Sequence, residues 1–544
     1  MNVVEIFQES ARRNAANVAI IAGRAGREQT VSFEALDRRS RQIAALLLQE
    51  GLAPGEGVAV FVPMSAELYA IIAALLRVGM VPVFVERAAW RETIEQAADA
   101  VPLRGFIGTC LACAMRPFVP ALRRIPKAFV VGEFFPGVVS LCAARTLAPC
   151  NHLEATALDA PAILTFTSGS SGPPKGVLRS HGLLAETHKI LSNQLELAPG
   201  GLDVAVLPLV VFTNLASGVG SLIPDADLSR PGEIAAPRLA RQIGAWSPEG
   251  IVASPALLER LADDALARGT RFDSLRRLFA GGAPVFPRLL DKLVKVAPRA
   301  RVHALYGATE AEPMARLAAD ELSTEDRDTM RQGRGVLAGR PIGEVALRIL
   351  HDRFGEPLGP WTPAELDGAI APPGEAGEIV VSGRHVVGGY LGGRGDRELK
   401  IRVASQIWHR TGDAGWLDRY GRLWLLGSCK ARVLDGGACR YPLAVEAALS
   451  DNPALLRSTL VRHRDRVLLV VEMREGRRDE ALLAIARAVQ WAAADEVVAI
   501  RRMPLDHRHN AKVDHPRLRR MLDARRWLKR VAVAGPLHAV QAAP

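Results

Sequence analysis

The stretch Ile163 to His181, ILTFTSGSSGPPKGVLRSH, decides how this chain is read. Ile163 to Phe166 has the apolar run of a short buried strand. The residues that follow, Thr167, Ser168, Gly169, Ser170, Ser171, Gly172, Pro173, Pro174, Lys175 and Gly176, combine three glycines, four hydroxyls and a lysine. That composition suits a polyanion. Glycines let main-chain amides turn together toward a phosphate, hydroxyls add donors without bulk, and the lysine brings a mobile point charge. The spacing is not that of a Walker A loop, which needs four residues between its glycines and then Gly-Lys before Ser or Thr. Here two residues separate Gly169 from Gly172, and Lys175 follows two prolines. By composition alone, a surface turn between a strand and a helix stands as the alternative.

Around this stretch the chain runs to 544 residues, too long for one ordinary core, so two or more domains are expected. Hydrophobic residues make up 49% and charged residues 23%, the balance of a folded globular protein. Lys and Arg number 69 against 58 Asp and Glu, a net charge of +11 that suits a phosphorylated ligand, an acidic carrier protein or a nucleic acid. No basic run is interleaved with aromatics, which argues against nucleic acid. The start, MNVVEIFQESARR, carries Glu5 inside its apolar stretch and does not read as a secretory signal. The most apolar region, Glu67 to Arg77, falls well below the roughly 18 residues of a membrane span. Cys110 and Cys113 form a CxxC with no second pair or histidine cluster nearby, so a reduced cytoplasmic protein with no integral membrane segment is expected.

Residues 1 to 160 alternate helix and strand signals. Phe33 to Leu48 has helical spacing, Gly57 to Val62 is a strand, Ala66 to Leu76 a helix and Val81 to Val85 a strand. This βαβ rhythm predicts a parallel sheet covered by helices on both faces. Farther on, Val204 to Val211 (VAVLPLVV) reads as a core strand, and Pro255 lies early in a helix start from Ala253 to Leu261. Leu278 to Pro284 (LFAGGAP) and Leu305 to Glu310 (LYGATE) each put small residues after a strand-like run, where a ligand plane can approach the backbone. Residues 352 to 377 read as surface loops ahead of the strand Gly377 to Ser382. His409 to Leu417 (HRTGDAGWL) and Leu423 to Gly427 follow, and beyond residue 430 a smaller α/β segment carries the strand Arg466 to Met473 and the helix Glu480 to Ala493.

In this order the motifs closely resemble the adenylate-forming superfamily of acyl-CoA synthetases, nonribosomal-peptide adenylation domains and luciferases, over about residues 30 to 520. The resemblance implies an α/β fold: a large N-terminal AMP-binding domain, residues 1–428, of stacked subdomains with parallel sheets, and a small mobile α+β domain, residues 429–544. It implies ATP and Mg²⁺ as cofactors and a small-molecule carboxylic acid as substrate. Carried over residue by residue, Thr167, Ser168, Gly169, Ser170, Ser171, Gly172 and Lys175 hold the triphosphate. Gly282 and Ala283 lie against adenine, and Tyr306, followed by Gly307, stacks on it. Thr309 and Glu310 face the α-phosphate and Mg²⁺, with Thr167 as a second metal contact. Asp413 accepts from the ribose hydroxyls, Lys430 is the hinge about which the small domain turns, and Lys512 enters the cleft as a catalytic cation. Two features depart from the family pattern. Ser428 replaces an arginine at the hinge, with Arg432 as the candidate substitute, and the region of Phe212 and Thr213 lacks the family's histidine.

Ile223 to Pro231 (IPDADLSRP) and Arg508-His509-Asn510-Ala511-Lys512 resemble one branch, the olefin β-lactone synthetases, which close β-hydroxy acids into four-membered lactones. That likeness implies a 3-hydroxy fatty acid and intramolecular closure; a pathway enzyme or a carrier protein is a candidate partner, and the sequence carries no signal that identifies one. The alternative is an acyl-CoA or acyl-carrier-protein ligase, which would add CoA or a carrier thiol. Ser428 motivates a third class, a catalytically idle nucleotide-binding protein. Without the family context, Asp225 and Asp227 read as a solvated turn and Lys512 as a solvated lysine in a basic tail. Acyl chain length and oligomeric state carry no readable signal.

Overall fold

The helical spacing that starts at Phe33 forms the helix Phe33–Gln49, begun by Ser32, whose hydroxyl accepts the Ala35 amide at 3.2 Å. Helix Ala66–Arg77 starts in the same way on Ser65 and is buried from Leu68 to Arg77, as an element apolar on nearly every side must be. The computed structural model describes residues 1–533 apart from 25, 86–89, 133, 168–173, 228–233, 475–478, 507–511 and 528, and also leaves the Thr167 side chain undescribed. One core cluster joins these two helices to Val58, Val60, Ile107 and Phe129 of one sheet and to Ile20, Ala205, Val252 and Phe279 of another. The molecule is a mixed α/β protein with helices layered between sheets.

The first sheet runs, in spatial order, Val139–Ser140, Lys127–Val131, Leu103–Thr109, Gly57–Phe61, Val81–Phe84, Pro161–Thr167 and Lys175–Ser180. All neighbours are parallel until the last pair, an antiparallel hairpin. In the second sheet, Val18–Arg24, Gly220–Leu222, Leu202–Ala205, Gly250–Ala253, Arg277–Gly281 and Arg301–Ala308 are successive parallel neighbours. It continues as antiparallel strands Ala311–Ala318, Val336–Pro341, Leu423–Ser428, Gln406–Leu417, Gly377–Ser382 and Ala346–Leu350.

Three expectations need correction. The apolar run from Val204 to Val211 is not one strand: Leu202–Ala205 ends before Pro208, which starts the helix Pro208–Ala216. Proline is tolerated at a helix's first turn and has no N–H for a sheet, so it divides the run. The loops at 352–377 contain a short helix, Pro363–Gly368, capped by Thr362. The helix expected from Glu480 to Ala493 is Asp479–Ala488 followed by the 3-10 turn Gln490–Ala492.

After the large sheet, the hairpin Val433–Asp435/Ala438–Arg440 and helix Pro442–Ala448 lead into a four-stranded sheet of Leu455–His463, Arg466–Met473, Glu496–Ile500 and Lys529–Ala532. Strand Arg466–Met473 is buried on both faces by alternation. Val467, Leu469 and Val471 pack with Leu482 and Ile485, while Leu468 and Val470 pack with Leu518 and Leu522. Asp352 fastens this part to the large sheet, accepting from Arg432 and from the Tyr441 hydroxyl, each at 3.1 Å. Among the described residues no helix is long and apolar enough to cross a membrane.

Candidate active site

Thr167 and Lys175 are the last register partners of the hairpin before its connection, so the glycine- and hydroxyl-rich segment links two paired strands. The expected passage from strand to helix is therefore strand, loop, strand. Val177 and Leu178 continue the sheet as its edge, and the helix His181–Gln194 starts only after Ser180. Ser168, Gly169, Ser170, Ser171 and Gly172 lie outside the described residues, as do Arg230, Pro231 and the string Arg508 to Ala511.

What flanks the loop is defined. The Lys175 ammonium lies 5.6 Å from the centre of the Tyr390 ring. Gly176 leaves room for Leu391, since a Cβ there would come within 2.9 Å of that side chain. Arg179, on the same strand, reaches the second sheet and donates to the Thr309 carbonyl at 2.8 Å. These contacts bring the phosphate-type hairpin against the turn that carries Thr309 and Glu310.

That turn joins Arg301–Ala308 to Ala311–Ala318, with a register shift between Tyr306 and Ala308. Such irregularities re-aim side chains. The half-buried Glu310 accepts from the Tyr390 hydroxyl at 2.6 Å, and its carbonyl accepts the Val387 amide at 2.8 Å. Burial alone would raise the Glu310 carboxyl. The facing His409, the Tyr390 hydroxyl and the Lys400 ammonium reverse this and hold it below the usual carboxylate range, so it is ionised at neutral pH. Burial pushes the His409 imidazole itself down to about 3.

On the same strand as Glu310's turn, Tyr306 donates its hydroxyl to Asp413 at 3.1 Å; burial, with Asp413 beside it, pushes the phenol well above its ordinary value. Asp413 lies within the strand Gln406–Leu417, again at a register irregularity, and Ser428 is its cross-strand partner. Gly282 follows the strand Arg277–Gly281 with φ of +86°, a left-handed turn that leads into Ala283. Gly281 pairs in register with Leu305, so the two small-residue motifs end side by side at the carboxyl ends of parallel strands, where ligands bind in open α/β sheets.

The structure thus brings Lys175, Tyr306, Gly307, Thr309, Glu310, Asp413, Gly282 and Ala283 to one region. It leaves three expected residues elsewhere. The Arg432 guanidinium is held by Asp352 and by the Cys429 carbonyl. Lys430 is exposed in the 3-10 turn Cys429–Ala431. Lys512 is exposed, its amide donating to Asp506 at 2.9 Å. Tyr390, Lys400, His409 and Arg179 were missed in sequence reading. The dense glycines from Gly388 to Gly395, ahead of a lysine among strand residues, were the available signal. Among the described residues no three or more His, Cys, Asp or Glu side chains could hold a metal together. A cation here fits the Glu310 carboxylate plus substrate phosphate oxygens, the way Mg²⁺ is usually held.

Comparison with known proteins agrees with this geometry. The AMP-binding enzyme family model matches residues 7–391. An olefin beta-lactone synthetase of Xanthomonas campestris pv. campestris is 30% identical over 522 residues, 91% of each chain. One from Stenotrophomonas maltophilia is 29% identical over 527 residues, 93% of each chain. Among solved structures, the anthranilate CoA ligase AuaEII in complex with anthranoyl-AMP superposes with a TM-score of 0.79 at 16% identity, covering 96% of this chain and 98% of that one, which supports the fold. With a family model spanning most of the chain and a relative 30% identical over nine-tenths of it, this protein is a member of the AMP-binding, adenylate-forming enzymes.

Proposed function

We propose that this chain activates a 3-hydroxy fatty acid as its acyl-adenylate and then closes it to a β-lactone. The observation that carries the first step is the convergence of Lys175, the Thr309–Glu310 turn and the Tyr306–Asp413 pair at the carboxyl ends of parallel strands. The likeness to proteins named olefin beta-lactone synthetases over nine-tenths of the chain favours the second.

A carboxylate is a poor electrophile, and its charge is repelled by the triphosphate it must attack. On this reading the loop residues Thr167 to Gly172 and Lys175 hold the β- and γ-phosphates and offset that repulsion. Asp413 accepts from the ribose, with Tyr306 held to it, and Gly282 and Ala283 leave a flat approach for adenine. Thr309 and Glu310 face the α-phosphate; Glu310 and Thr167 would hold Mg²⁺, which supplies charge neutralisation on the phosphates. Residues 1–428 and 429–544 act as two lobes turning at Lys430, and that turn carries the exposed Lys512 to the acyl oxygen and α-phosphate.

In the second step the substrate's 3-hydroxyl oxygen bonds to the activated carbonyl carbon. The carbonyl–phosphate C–O bond breaks, the hydroxyl proton is lost, and AMP departs. Intramolecular approach favours this, and the strained ring requires a site that excludes water. The competing reading, capture by the thiol of CoA or a carrier protein, keeps the same first step. Ser428, across from Asp413, offers a hydroxyl where an arginine would contact nucleotide, so nucleotide binding rests more on Asp413 and Tyr306.

Incubation with ATP, Mg²⁺ and a long-chain 3-hydroxy acid, with and without CoA, tests the reading by product mass. CoA-independent loss of water with AMP and pyrophosphate supports it. A thioester mass selects the ligase reading, and no pyrophosphate with any carboxylic acid leaves a nucleotide-binding protein.

A further inference from the structure

The glycine-rich segment 387–400 lies between the two halves of the site and touches both. From one residue of it, Tyr390, the hydroxyl bonds the Glu310 carboxylate at 2.6 Å and the ring faces the Lys175 ammonium at 5.6 Å. From its far end, Lys400 donates to the Val387 carbonyl and sets its own ammonium 5.2 Å from the same ring. Val387 in turn donates its amide to the Glu310 carbonyl at 2.8 Å. Asp396 holds the loop's backbone through the Tyr390 amide at 2.7 Å, and Gly395 presses the Lys175 stem so closely that a Cβ would lie 2.6 Å from its Cε.

An 8% exposed lysine inside such a segment needs a reason. Burying an ammonium costs several kcal/mol in general, and a lysine stem that only filled space would be a leucine or methionine. Burial lowers the Lys400 amine to about 8, with Glu310 and Asp396 working to keep it charged. Its neighbours are the tyrosine that bonds Glu310 and the carbonyl of the residue that bonds Glu310's backbone.

We propose that Tyr390, braced by Lys400, is a positioning residue for the Glu310 carboxylate, fixing the angle at which that oxygen meets a divalent cation carried on ATP. The inference rests on the reading of Glu310 given above. Groups that orient a metal ligand through its other oxygen typically change metal affinity or activity ~10- to 100-fold when removed.

The test is the Mg²⁺ concentration giving half-maximal ATP binding, measured by calorimetry on the full chain, beside the same midpoint for substrate-dependent pyrophosphate release. Tyr390→Phe keeps the ring and removes only the hydroxyl. It is expected to raise both midpoints ~10-fold or more. Lys400→Met is expected to raise them as well, and Lys400→Arg to restore part of the loss. Glu310→Gln is the control. If it raises the midpoints and Tyr390→Phe does not, the positioning role is overturned while the reading of Glu310 stands. If Glu310→Gln leaves them unmoved, that reading falls and takes the positioning role with it.

Discussion

Removing Arg410 should cost more than removing most residues of the site itself. Arg410 precedes the Thr411–Gly412–Asp413 stretch, and its guanidinium meets Glu378 through Nε at 3.0 Å and Nη2 at 2.6 Å, with both side chains 1% exposed. Two further bonds go to the carbonyls of Arg353 and Glu356. In Arg410→Met, the Glu378 carboxyl remains buried without its counter-charge, an arrangement that costs about 3 to 5 kcal/mol. Glu378→Leu strands the guanidinium in the same way. In the double variant neither charge is buried, and what remains is two carbonyls without donors, about 1 kcal/mol each. The double variant should therefore be about 2 kcal/mol less stable than wild type, and more stable than either single variant. Urea unfolding followed by tryptophan fluorescence reads this, since Trp416 stacks on Trp424 at 5.2 Å on the adjoining strands. Single variants costing under about 1 kcal/mol, or costs that simply add, would refute the reasoning.

Three other outcomes follow from the same structure. Asp413→Asn should weaken ATP binding ~10- to 100-fold, the worth of bonds to a charged acceptor, measured by calorimetry; unchanged affinity would remove Asp413 from the nucleotide site. Lys512→Ala should slow substrate-dependent pyrophosphate release ~100- to 1,000-fold while ATP still binds, and near-normal release would refute its role. His303 is 1% exposed, has no polar partner on either ring nitrogen, and stacks on Phe279 at 5.1 Å. Burial, with Arg316 nearby, lowers its imidazole from 6.5 to about 4. The unfolded chain takes up this proton as the pH falls through 6.5 and the folded chain only near 4. Stability on the order of 3 kcal/mol, fully present above 6.5, is therefore lost across that window. His303→Phe should flatten the acid limb of a melting-temperature profile, and parallel profiles would contradict the assignment.

The parts of the fold legible in the sequence were those fixed by local pattern. The 3.6-residue spacing after Phe33 and the serine caps at Ser32 and Ser65 mark helices without tertiary help. The apolar run around Pro208 misled because periodicity alone does not separate a buried strand from a buried helix, and only the proline's position divides them. Tyr306 and Asp413 are 107 residues apart; the resemblance assigned both to one nucleotide, but the bond between them was not legible in the sequence. The glycines from Gly388 to Gly395 mark the segment of Tyr390 and Lys400 but not its partner Glu310, 80 and 90 residues earlier, because that pairing comes from strands and loops that meet only after folding. Arg432 lies near Ser428 in sequence, and its contact with Asp352, 80 residues away, is one that no local pattern announces.

The most direct measurement of carboxylate adenylation uses a 3-hydroxy acid whose carboxyl oxygens carry a heavy isotope, incubated with ATP, Mg²⁺ and the full chain. Attack of that carboxylate on the α-phosphate, followed by loss of AMP to either lactone or thioester, transfers one labelled oxygen into AMP, and the account predicts that mass in the recovered nucleotide. AMP free of the label, or ADP as the nucleotide product, would contradict it.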